Sequence, residues 1–250
     1  LFTTNKARII APAVIYRAGP ADVLLEVPPR VVEDLLPHLR RYRLRAKAEI
    51  AVVDLALVTL AGSAPDTAAG DGWFTTPRFG GAADRTLVGT PDDVAETILR
   101  IATDHGAGIA SATTLDALRI DRGIPSLADF MIDMMPAEVG GDDVAVSFTK
   151  GCYLGQEPVA RLHWRGRSQR TLRQLVIEAP TAEQLPNLPC QLAPYVDGAR
   201  SAGQISSWAE HPDGRILALG SIRQDVPEGA VIPIEESVAQ ARVISAAPTS

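Results

Sequence analysis

The chain has 250 residues, 46% hydrophobic and 22% charged, with a formal net charge of -6. That balance builds a buried core and fits a soluble globular protein with room for more than one compact unit. The acidic excess argues against a general nucleic-acid binder, and so against general DNA binding, and no apolar run reaches the ~18 residues of a membrane-spanning helix.

Residues 8–16, RIIAPAVIY, are β-branched and aromatic and predict a strand; turn chemistry at 18–22 and VLLEV at 23–27 predict its return. Val31, Val32, Leu35, Leu36 and Leu39 then give the spacing of an amphipathic helix, which Pro37 should kink or shorten. EIAVVDLALVTLAG (49–62) predicts a further strand region, so the first part is an α+β layer. Residues 62–72 are a loop by composition. Thr90, Pro91, Asp92 and Asp93 open a helix that runs to about His105 and stops at the glycines of 106–108. A shorter helix is expected within 111–125, followed by an irregular stretch up to residue 149. After Arg173 short strand candidates alternate with Pro and Gly and predict a small all-β unit beginning near 172. The chain does not begin with Met, and its start inside a strand-like pattern leads us to expect N-terminal residues beyond it.

The two cysteines, Cys152 and Cys190, make no disulfide framework and fit a reducing compartment, the cytoplasm. Cys152 lies within KGCYLGQE (150–157). A small buried core cysteine is one reading of it. The other is a reactive thiolate tuned by Lys150 or Arg161, with Gly151 and Gly155 allowing a tight turn and Gln156 and Glu157 holding the loop. The four histidines lack a signature context for a Cys–His pair, and two cysteines 38 positions apart cannot complete a metal site, so no metal ligands are assigned.

RLHWRGRSQRTLR (161–173) holds five arginines and no acid. It reads either as a solvated face or as an anion site with Trp164 as a stacking surface, and the same chemistry suits RNA. In LRIDRGIP (118–125) Asp121 is either a helix-end acid or an acceptor for a ring N–H and its neighbouring amino group.

KGCYLGQEPVAR, preceded by SFT and followed by the basic segment, resembles the signature of the YgfZ family of folate-binding proteins, related to the glycine-cleavage T-protein, an aminomethyltransferase. RIIAPAVIYR, LRIDRGIP and the closing GARSAGQISSW and RILALGSIR extend the resemblance over nearly the whole chain. It implies an α+β fold, a three-lobed ring around a central folate channel with a C-terminal β-barrel. The lobes would be residues 1–65, 66–171 and 172–250. It implies tetrahydrofolate as cofactor, with Asp121 at the pterin and Arg165 and Arg167 at the glutamyl tail. The motif would comprise Lys150, Gly151, Cys152, Tyr153, Gly155, Gln156 and Glu157, with Arg161 beside it. The implied partners are folate and iron–sulfur client proteins, including tRNA-modifying enzymes. The implied role is their maturation or repair, an accessory function rather than catalysis. A tetrahydrofolate-dependent one-carbon transferase and an RNA-associated module remain open beside it.

Overall fold

The computed structural model describes residues 1–62, 72–76, 84–130, 134–139, 145–166, 168–179, 182–196 and 200–246. They form two compact units, Leu1–Pro12 with Ala112–Ser250, and Ala13–Ser111. The stretch predicted as one strand at 8–16 is two. Ile9–Ala11 (β2) pairs with Phe2–Thr3 (β1), and Val14–Arg17 (β3) pairs with Val23–Glu26 (β4). Pro12, which has no N–H to give a ladder, lies between them.

In the Ala13–Ser111 unit, helix α1 spans Val32–Tyr42. It runs through Pro37, which is exposed, so the carbonyl that loses its partner faces water. The strand predicted over 49–62 shrinks to Ala56–Leu60 (β5). Its ladder partner, Arg85–Gly89 (β7), ends where the next helix begins, so residues before Ala56 find no strand to pair with among the described residues. Trp73–Thr75 (β6) flanks β7 on its other side. The Thr86 hydroxyl meets those of Thr59 at 2.9 Å and Thr76 at 2.6 Å across this sheet. Helix α2, Pro91–His105, forms as predicted: the Thr90 hydroxyl accepts the N–H of Asp93 and Gly106 closes the helix with φ 65°.

The other unit carries α3 (Ala112–Asp121), α4 (Leu127–Phe130), a 3-10 turn (Pro136–Val139) and α5 (Gln156–Arg165). Six antiparallel strands follow: β8 (Arg170–Glu178), β9 (Cys190–Pro194), β10 (Ser201–Glu210), β11 (Ile216–Arg223), β12 (Val231–Pro233) and β13 (Gln240–Ala246). Their order is β12-β13-β8-β11-β10-β9. The ends nearly close: Leu192 bridges Ile234, and Glu235 N–H donates to the Gln191 carbonyl at 2.9 Å. Alternation divides the faces. Leu175, Ile205, Ala218, Ile222, Ile232 and Val243 fill the barrel. Leu172, Leu217 and Leu219 point the other way and bury Ala117 and Ile120 of α3. No described helix is long and apolar enough to cross a membrane.

Candidate functional site

The octet forms the loop that enters α5. Gly155 is the residue before the helix and sits at φ 81°, a conformation that favours glycine. A Cβ there would lie 2.7 Å from the Thr4 carbonyl oxygen and 3.1 Å from Cα of Ala7. The loop is therefore seated against the N-terminal turn by a glycine contact. Thr3 Oγ1 adds a hydrogen bond, donated to the Leu154 carbonyl at 3.1 Å. Gln156 N–H donates to the Tyr153 carbonyl, so main chain closes the turn. Gly151 is exposed, and a side chain there would meet open space. Pro158 falls within the first helical turn, where a missing N–H costs nothing, and Glu157 favours the same end of the helix.

Cys152 is exposed on this loop, whereas Cys190 is buried in the barrel, where burial pushes its thiol up to about 11. The Lys150 ammonium sits 4.7 Å from the ring centroid of Tyr153 in a cation–π contact. Among the described residues, no hydrogen bond or ion pair joins Cys152 to Lys150 or Arg161. A cavity of about 440 Å³ opens beside the loop, lined by Asn5, Tyr153, Gly155, Gln156, Glu157 and Pro158 among others. An exposed thiol thus stands on a seated loop next to a hollow lined largely by its own motif. That arrangement can offer a nucleophile or a single metal ligand to a partner. Among the described residues, no group of three or more His, Cys, Asp or Glu is placed to hold a metal ion.

The basic segment disperses. Arg161 and Trp164 are exposed on α5. Arg165 ends that helix, and Arg167 lies outside the described residues. Arg173 points into the barrel, buried, and donates to the Val226 carbonyl at 2.6 Å, so it leaves any surface anion site. The helix α5 itself was not predicted: a Gly-Gln-Glu-Pro start and the run of arginines conceal its short apolar face.

Asp121 terminates α3 with its side chain 45% exposed. Gln174 of β8 donates to the carbonyls of Ile120 and Asp121 at 2.7 and 2.8 Å, which fixes this helix end on the barrel. His211 Nε2 stands 4.0 Å from the Asp121 carboxylate, and His211 Nδ1 lies 2.9 Å from Asp213. Arg215 pairs with Asp213 at 2.6 Å and holds its carboxyl far below the ordinary range.

Sequence reading missed Asp129, which ties α3 and α4 to the barrel. Asp129, fully buried at α4, accepts from Arg119 Nη1 at 3.2 Å, from Ser126 N–H at 2.7 Å, from the Ser126 hydroxyl at 2.9 Å and from the Ser207 hydroxyl at 2.9 Å; Ser206 donates to it as well. The visible signal was Ser126-x-x-Asp129 at a helix start, where the Asp129 carboxylate reaches back to the Ser126 N–H and hydroxyl. The barrel hydroxyls that complete the ligation are far away in sequence.

No family model matches the chain. It is similar to curated proteins named tRNA-modifying protein YgfZ. With that of Photobacterium profundum it is 28% identical over 212 residues, 79% of this chain and 64% of the relative. With that of Edwardsiella ictaluri it is 31% identical over 147 residues, 58% and 44%. With that of Yersinia pseudotuberculosis it is 26% identical over 242 residues, 88% and 71%. The matched region thus spans less than two thirds of the first two relatives. The crystal structure of glycine cleavage system aminomethyltransferase T from Bartonella henselae superposes with a TM-score of 0.74 at 15% identity, covering 99% of this chain and 74% of that one. The resemblance read from the octet is borne out, and so is the mixed α and β fold of T-protein type.

Proposed function

We propose that this chain is a YgfZ-type, tetrahydrofolate-binding accessory protein that supports iron–sulfur enzymes, tRNA-modifying ones among them, in the cytoplasm. The observation that carries the reading is the exposed Cys152 on a loop pinned by Gly155. A thiol meant only to fill a core would be buried, as Cys190 is. The relatives' shared name, tRNA-modifying protein YgfZ, supports the same class of role.

The residues fit a pterin. Asp121 offers a solvent-accessible carboxylate on a fixed helix end, able to accept two parallel hydrogen bonds. Arg165 and Arg167, at and just beyond the end of α5, are our candidates for the glutamyl tail. Lys150 and Arg161 supply positive charge near the thiol in sequence, and Tyr153, Gln156 and Glu157 shape the hollow beside it. Bound folate would supply one-carbon or redox chemistry; the chain holds it and presents Cys152.

The test is a calorimetric titration of the protein with tetrahydrofolate, alongside Asp121→Ala and Cys152→Ser. Binding lost in Asp121→Ala and kept in Cys152→Ser is expected. No binding by the wild-type protein rejects the folate reading. Full complementation of a deletion strain by Cys152→Ser rejects the role of the thiol.

A further inference from the structure

The aromatic residues around α5 form a built surface rather than a scatter. Phe148 and His163 stack with ring centroids 4.1 Å apart and planes 30° apart. Trp164 stands edge-on to His163 at 4.7 Å and 88°, and to Phe148 at 6.1 Å and 66°. These contacts orient the indole, yet Trp164 remains 70% exposed. An indole held by two rings with most of its surface in water loses little freedom when another ring stacks on it.

A cation stands next to this surface. Arg161 is exposed three positions before Trp164, on the same face of the helix. The helix carries no acid after Glu157 in its first turn. A planar ring and a negative charge on one ligand is the combination that meets both features, and a nucleotide carries both.

We propose that Trp164, with Phe148 and His163 behind it and Arg161 one turn before it on the same helix, stacks an unpaired nucleotide of RNA. Recognition of RNA by proteins favours splayed, unpaired bases laid on aromatic faces, with cations taking the phosphates. The acidic balance of the whole chain disfavours duplex binding, which depends on many phosphate contacts. The inference rests on the role in tRNA modification proposed above and names the contact by which it is exercised.

Fluorescence anisotropy of a labelled RNA hairpin with an unpaired loop, at low ionic strength, tests it, with a fully paired RNA duplex as comparison. The wild-type protein is expected to prefer the hairpin. Trp164→Ala should weaken hairpin binding about tenfold, and Trp164→Phe should recover most of the loss. Circular dichroism melts should match the wild type, because the substituted side chain is exposed. Absence of hairpin binding, equal binding of hairpin and duplex, or indifference to Trp164→Ala overturns the proposal; the last would reassign the surface to a protein partner. Tetrahydrofolate titration is read separately. Loss of folate binding with hairpin binding intact sinks the folate reading alone, and the reverse sinks this one alone.

Discussion

The guanidinium of Arg119 and the carboxylate of Asp129 meet at 3.2 Å, and Asp129 has no exposed surface. The pair joins α3 to α4, and Ser206 and Ser207 extend it to the barrel strand β10. Asp129→Ala would take from Arg119 the more deeply buried of its two carboxylates and leave the Ser126, Ser206 and Ser207 donors without this acceptor. We expect a loss of about 3–5 kcal/mol, read from urea unfolding midpoints. Asp116 also bonds Arg119, at 2.6 Å, but its side chain is 49% exposed. Asp116→Asn should therefore cost less than ~1 kcal/mol. Equal losses in the two variants would show that burial is not what gives Asp129 its weight.

Gly155 makes a similar demand on backbone. Its positive φ and the 2.7 Å approach of a Cβ to the Thr4 carbonyl combine. Gly155→Ala should cost about 2 kcal/mol or more and loosen the seat under the octet. Gly151→Ala, in open space, should be close to neutral. Hydrogen exchange at residues 3–8 is the measurement. Faster exchange there in Gly155→Ala, with the barrel unaffected, is expected; unchanged exchange would mean that the turn does not depend on the glycine.

How much of this was legible beforehand differs by element. The Thr90-Pro91 start of α2 is a local signal, complete within four residues, and it was read correctly. The octet was legible for the same reason. The partner of Gly155 was not, because Thr4 lies about 150 positions away and nothing in the octet names it. β9 and β12 escaped notice because each carries proline at its end, Pro194 and Pro233, which suggests a break. Both are at the margins of the sheet order, where a missing N–H is tolerated. Asp129 stayed hidden since its weight comes from burial, which only the fold supplies. The place of Asp121 at a helix end was legible, but its neighbour His211 comes from the barrel.

The two cysteines should separate cleanly by chemistry. A thiol reagent added to the native protein should label Cys152 rapidly and Cys190 only after unfolding. Burial raises the Cys190 thiol from 9.0 to about 11. Between those values the unfolded chain loses a proton that the folded one keeps. The contribution of Cys190 to stability is thus whole below pH 9 and is lost as pH rises through about 11. Urea unfolding from pH 7 to 10.5 should show a decline that Cys190→Ala lessens. An equal decline in both proteins would remove the thiol as its cause.

Gln174 offers a way to disturb Asp121 without touching its carboxylate. Its amide donates to two carbonyls at the end of α3, at 2.7 and 2.8 Å. Gln174→Ala removes both bonds and should cost about 1–2 kcal/mol. Gln174→Glu is the sharper change, since a carboxylate has nothing to donate and would face two carbonyl oxygens with Asp121 close by. Repulsion should then free the last turn of α3, and hydrogen exchange at residues 118–122 should rise more than in Gln174→Ala. If Asp121 holds a pterin, tetrahydrofolate affinity should fall in the same order. An affinity loss equal in both variants would point to the lost donor alone, and an unchanged affinity would place the ligand away from this helix end.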